Sequence, residues 1–190
     1  VYQIEKERAG SYQIEVLAKS KEHEVPITLR FQELRDEQMQ PAHGELPFFL
    51  QENTVIQFLQ YPYEQVVAEN FVEILEKMEL INDLSCYEEI YGILKKEALD
   101  GRKVEQQIIE IGTKRELFFG KDRLDTVLHY KDYTYMKRKW TAYLKRERKK
   151  EPDWVEVMTL LEAFFPPVWR AIIRDEIFIG DWMPELCRFL

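Results

Sequence analysis

In the stretch YPYEQVVAENFVEIL an acid and an amide, Glu69 and Asn70, stand side by side. A carboxylate there could help hold a divalent metal or move a proton. The amide can hydrogen-bond but cannot neutralise phosphate charge. Apolar residues fall at Val67, Phe71, Ile74, Leu75 and Met78, a spacing that forms one stripe of an α-helix. Asn70 therefore sits at the border of a core-facing stripe, where a longer charged side chain would normally reach past the core into a cleft. Two more acidic groups, Glu88-Glu89 and Asp122/Asp125, read as solvated helix-face charges. The aromatics Tyr61, Tyr63, Trp140, Trp154 and Trp169 read as core.

The second charged feature is basic. Between Lys137 and Lys150 there are eight Lys/Arg and one acid, Glu147, in a chain of net charge −8. Lys137, Arg138, Lys139, Lys145, Arg146, Arg148 and Lys149 are the candidates for contact with RNA phosphates. The competing reading is a solvated face paired with the acidic body. Other chemistries find no pattern. His23, His43 and His129 are scattered, with no metal-ligand spacing to one another or to a cysteine. The glycines are isolated, so no phosphate-cradling loop is present. There is no G-x-S-x-G and no Cys/His nucleophile motif. No metal ligand is assigned and no cofactor is expected.

The elements that must position these residues change character along the chain. SYQIEVLA and VPITLRF alternate with period 2 about the polar turn KSKEHE, which predicts an antiparallel pair. QMQPAHGELP reads as a loop, and Thr54–Gln60 as a third strand. Helices are predicted over 63–80, from Ser85, over 102–115 with Gly101 as breaker, over 121–129 and over 131–149. The helix from Ser85 carries Tyr87, Ile90, Tyr91 and Leu94 on one face. The 131–149 helix carries a stripe of Tyr133, Met136, Trp140, Tyr143 and Leu144. Asp153 and Glu156 form a candidate capping box for a further helix, which Pro166-Pro167 should end or sharply kink. The tail GDWMPELCRFL reads as irregular or briefly helical. Strands first and helices after predict an α+β fold, a small, mostly antiparallel sheet over 1–61 followed by a helical domain over 62–190.

At 190 residues with 45% hydrophobic and 33% charged content, the chain should fold as a globule. No apolar run approaches the roughly 18 residues of a membrane span, and no signal-peptide pattern opens it. Cys86 and Cys187 are too few for a disulfide framework and read as reduced, in a cytoplasmic protein; Cys187 reads as a small buried hydrophobe. The chain opens on Val1, as a fragment or an excised domain would.

Three segments in order resemble the abortive-infection nucleotidyltransferase toxins of the AbiEii type. ITLRFQELRDEQMQP is similar to a family strand that carries an aspartate and is followed by G-D-x-I-T-P. YPYEQVVAENFVEIL is similar to the family's Y-x-x-E…A-E-K helix, and SCYEEIYGIL to its R-D-F-Y-D-I-Y-x-L. Downstream, the long helix around Trp140 and the helix from Trp154 fit the family's tail, so the resemblance covers most of Gly10–Phe165. It implies a DNA-polymerase-β-like fold that moves a nucleotide from an NTP to an acceptor, with Mg²⁺ and NTP as cofactors if active. Such chemistry needs metal-holding carboxylates and a cation near the triphosphate.

The motif positions depart from that pattern. Arg30 stands where the strand aspartate would be, and Asn70 where the helix lysine would be; Glu69 matches. Ser85-Cys86 replace the Arg-Asp that opens the third motif, and Glu89 is the one acid retained. The family's glycine-serine turn and first two metal-binding aspartates would lie upstream of Val1 and have no equivalent here; with the alignment shifted by a residue or two, Asp36 and Asp83 are candidate equivalents of the acids replaced at Arg30 and Cys86. The resemblance therefore implies a catalytically inactive binding or regulatory protein, with an antitoxin or another protein as partner; the charge of the basic segment separately offers RNA as a ligand of that helix. The alternatives are an active transferase whose catalytic N-terminal half lies elsewhere, and a non-enzymatic helical interaction module.

Overall fold

The structure, a computed structural model, describes residues 2–8, 11–20, 23–32, 41–47 and 54–190. The fold is α+β, and the chain divides into two compact units, Val1–Gln40 and Pro41–Leu190.

In the first unit β1 (Tyr2–Arg8), β2 (Ser11–Ser20) and β3 (His23–Gln32) form an antiparallel meander in that order. The expected β2–β3 pair forms in a register that sets Ile14 opposite Leu29 and Val16 opposite Ile27. One-residue slippage would break this matching of the apolar alternation.

The second unit opens with a hairpin, β4 (Ala42–Pro47) against β5 (Val55–Gln60). The strand β5 was expected; β4 falls in the segment read as a loop. Gly44 lies opposite Phe58, and a Cβ there would come within 2.6 Å of the Phe58 ring. The glycine that suggested a loop instead gives the ring room across the ladder. The hairpin belongs to the same compact unit as the helices, Pro41–Leu190.

The helices follow: α1 (Tyr63–Lys77), continued by a 3-10 turn (Met78–Leu80), α2 (Ser85–Leu94), α3 (Gly101–Lys114), α4 (Lys121–His129), α5 (Thr134–Arg146) and α6 (Trp154–Arg174). The α1 stripe is buried as its spacing requires, with Val67, Phe71, Ile74 and Leu75 at 0–1% exposure. Phe71 stacks on Phe165 of α6, with ring centroids 3.6 Å apart, and meets Trp169 edge-on. Tyr87, Ile90 and Leu94 of α2 complete this core, while Tyr91 stays half-buried. On α5 Met136, Trp140, Tyr143 and Leu144 are buried as expected, but Tyr133 is the residue preceding the helix and is exposed.

Pro166 and Pro167 do not end α6, which runs on to Arg174. Each proline removes one backbone donor, leaving the carbonyls four residues back, at Glu162 and Ala163, without a helical partner. Both of those residues are exposed, so water can serve them, while Phe164, Phe165, Val168 and Trp169 on the opposite face are buried. Burial of those four side chains on both sides of the proline pair outweighs its cost of about 3 kcal/mol per proline.

The tail is a strand pair rather than irregular or helical. The short β6 (Leu99–Asp100) pairs with β7 (Asp181–Met183), which pairs with β8 (Arg188–Phe189), all antiparallel. Trp182 anchors it, fully buried against Phe164 and Phe189, its indole N–H donating to Leu94 O at 2.8 Å. Gly101 is the first residue of α3 rather than a breaker. Its N–H donates to Gly180 O at 3.0 Å, and a Cβ would lie 2.5 Å from that same oxygen. Among the described residues no helix is long and apolar enough to cross a membrane.

Candidate functional site

Helices α1 and α2 pack against each other and bring two of the motif positions together. The Asn70 amide donates from Nδ2 to Glu89 Oε2 at 2.7 Å. This answers the question raised by a short amide at the stripe's border: the side chain reaches sideways to the neighbouring helix rather than outward. Glu69 is engaged on its own helix, accepting from Gln65 Nε2 at 2.9 Å, and Gln65 is buried.

Cys86, one turn before Glu89 on α2, is buried at 5% exposure. Burial, with the carboxylates of Glu73 and Asp83 adding to it, pushes its thiol up to about 12. It therefore stays protonated near neutrality and is poorly suited as a nucleophile or metal ligand. Asp83 accepts from Ser85 N at 3.0 Å, serving the exposed N–H groups at the start of α2. Arg30 belongs to the other compact unit, where its backbone pairs with Gln13. Asp36 lies outside the described residues. Among the described residues no cluster of three or more His, Cys, Asp or Glu could hold a metal ion.

Glu88 and Glu89, expected as solvated charges, are tethers. Glu88 accepts from the Tyr143 hydroxyl at 2.5 Å and pairs with Lys149 Nζ at 2.6 Å, tying α2 to α5. Burial alone would raise the Glu88 carboxyl; the hydrogen bonds from Lys149 and Tyr143, with the ammonium's charge, outweigh it and hold the group below its ordinary value. Burial and the adjacent Glu88 push the Tyr143 hydroxyl up. Tyr91, three residues on from Glu88, donates to Glu156 at the start of α6. That contact takes the Glu156 carboxylate away from the reciprocal arm of the expected capping box. Asp153 makes the other arm, accepting from Glu156 N at 2.8 Å. Adjacent helical positions point about 100° apart, so the run of acids in the sequence could have signalled contacts to different neighbours.

The Tyr91–Glu156 pair lines a cleft of about 480 Å³ shared by Lys95, Thr159 and Cys187. Cys187 is thus half-buried at the edge of a cleft, not a buried hydrophobe, and both cysteines are free.

The basic segment splits into two sets. Lys139 donates to the carbonyls of Glu79 and Ile81, where a cation favours the C-terminal end of a helix. Lys149 holds Glu88, Arg146 pairs with Glu147 at 2.9 Å, and Lys137 lies 3.7 Å from Asp132. Arg138, Lys145, Arg148 and Lys150 are exposed and make no ion pair or side-chain hydrogen bond among the described residues. No family model, curated protein or solved structure matches this chain.

Proposed function

We propose that this chain is a nucleotidyltransferase-like protein of the AbiEii type that no longer transfers nucleotides and acts by binding. The Asn70–Glu89 hydrogen bond carries the reading. A nucleotidyltransferase needs a cation directed at the triphosphate and carboxylates free to take up Mg²⁺. At the lysine position stands an uncharged amide, and it occupies the carboxylate retained at the acid position. The other motif positions support the same reading. Glu69 is held by Gln65, and Cys86, in place of an aspartate, is buried and protonated. Removing one charge-stabilising group from such a site typically costs about 3–4 kcal/mol of transition-state stabilisation, and here several are replaced together.

Isothermal titration of the protein with each NTP and Mg²⁺, followed by incubation with radioactive NTPs and RNA, tests this. The expected result is no metal-dependent NTP binding at micromolar concentration and no transfer of label. Either signal would overturn the proposal.

A further inference from the structure

The cations of the basic segment are not equivalent, and the four without partners lie on α5 or within four residues of its end. Arg138 and Lys145 are seven residues apart on α5, two turns, so they lie on one ridge about 10 Å apart along the axis. Between them a shallow depression of about 360 Å³ is lined by Thr134, Thr141 and Ala142. Arg148 and Lys150 follow directly after the end of the helix.

We propose that this outward face of α5 binds single-stranded RNA. Charge complementarity argues for a phosphate backbone, because these cations have no protein acid to satisfy them while their neighbours Lys137, Arg146 and Lys149 do. An aromatic platform argues for a single strand. Tyr135, three residues before Arg138, is half-exposed, and Tyr133 lies beside it with ring centroids 5.9 Å apart; unpaired bases stack on such rings, and bases inside a duplex cannot. Thr141 argues for RNA. Its hydroxyl donates inward to Lys137 O at 2.9 Å, leaving its lone pairs on the open side as acceptors for a ribose 2′-hydroxyl. A lipid surface would ask for Leu, Phe or Trp among the cations, and besides Lys137, Arg138 and Lys145 the depression is lined only by Thr134, Thr141 and Ala142.

The inference is independent of the α1–α2 reading: nucleotide transfer would overturn that one and leave this one standing. The test is fluorescence anisotropy of labelled 20-mer oligouridylate with the full chain at 50–200 mM KCl. Four neutralised phosphates predict a log–log salt slope of about −2.8, so affinity falls about 50-fold over that fourfold range. R138Q/K145Q should flatten the slope by about 1.4. Y135A should weaken binding at least about fivefold. R102Q/K103Q, which removes the same charge at the start of α3, should change neither.

Absence of binding at 50 mM KCl overturns the proposal. So does an unchanged slope in R138Q/K145Q, a loss in R102Q/K103Q equal to the loss in R138Q/K145Q, or equally tight binding of oligothymidylate, polyglutamate or phosphatidylserine vesicles. Arg138 and Lys145 are exposed and without an ion pair or side-chain hydrogen bond, so unchanged circular dichroism and thermal midpoint should accompany the loss in R138Q/K145Q.

Discussion

Removal of the Asn70–Glu89 contact offers the sharpest test of how α1 and α2 are joined. A hydrogen bond to a charged acceptor contributes about 1.5–3 kcal/mol. Glu89 is exposed and Asn70 half-buried, so water competes for both groups, and the expected coupling falls to about 1 kcal/mol. The measurement is a double-mutant cycle of N70A, E89A and N70A/E89A in urea at pH 7. All four tryptophans lie between residues 140 and 182, so their fluorescence reports the helical unit alone, which keeps a two-unit chain from blurring the transition. The variant N70D sharpens the test, because it replaces the donor with a second carboxylate at the same 2.7 Å separation. Two carboxylates that close share a proton, so the pair's folded-state pKa is raised above the unfolded value. N70D should therefore be destabilised by about 1–2 kcal/mol at pH 7 and regain stability as pH falls toward 5. It should also gain a Mg²⁺-dependent rise in thermal midpoint that the wild type lacks. A coupling below about 0.3 kcal/mol, or the same Mg²⁺ response in the wild type, would refute the reasoning that Asn70 engages Glu89.

Three further outcomes follow from the packing. Glu88 is held below its ordinary pKa of 4.5, so its contribution to stability is complete above that value and is lost as pH falls through the lower folded value; thermal midpoints from pH 6 to 3 should drop less steeply in E88Q than in the wild type. F71A removes a ring at 1% exposure stacked on Phe165, and urea unfolding should show a loss of about 3–5 kcal/mol. The buried Glu105 accepts from Phe178 N at 3.0 Å, so in E105A hydrogen exchange at the Phe178 amide should accelerate by about 10-fold, as loss of one hydrogen bond implies.

Much of the helical architecture was legible because its information is local. The i, i+3, i+4 spacing of Val67, Phe71, Ile74 and Leu75 and the cap at Asp153 each lie within one or two turns of the residues they organise. What escaped sequence reading is non-local. The strand β7 pairs with a partner some eighty residues earlier, Leu99 with Trp182, and no short window contains both. Pro166-Pro167 carried a correct local rule that lost to burial on the opposite face of α6. At the candidate site the stripe's border position was legible, but the Asn70 partner was not, because which α2 residue faces α1 depends on how the two helices pack. The basic segment was legible as charge and not as geometry: only the structure separates Lys139 and Lys149, which hold other helices, from Arg138 and Lys145, which hold nothing.

The ten residues of α2 show how its two acids are committed to neighbouring helices. Its buried face, Tyr87, Ile90 and Leu94, fixes the helix in the core. Its polar rim then reaches three different neighbours: Glu88 to α5, Glu89 to α1 and Tyr91 to α6. A carboxylate that serves a metal must give its oxygens to the ion, and one that joins helices has already given at least one of them to a donor. Placing a lysine at position 70 would not undo this. An ammonium placed beside Glu89 would pair with that carboxylate before it met a phosphate, exchanging one tether for a stronger one. The added charge would be spent on Glu89, as the charge of Lys149 is spent on Glu88.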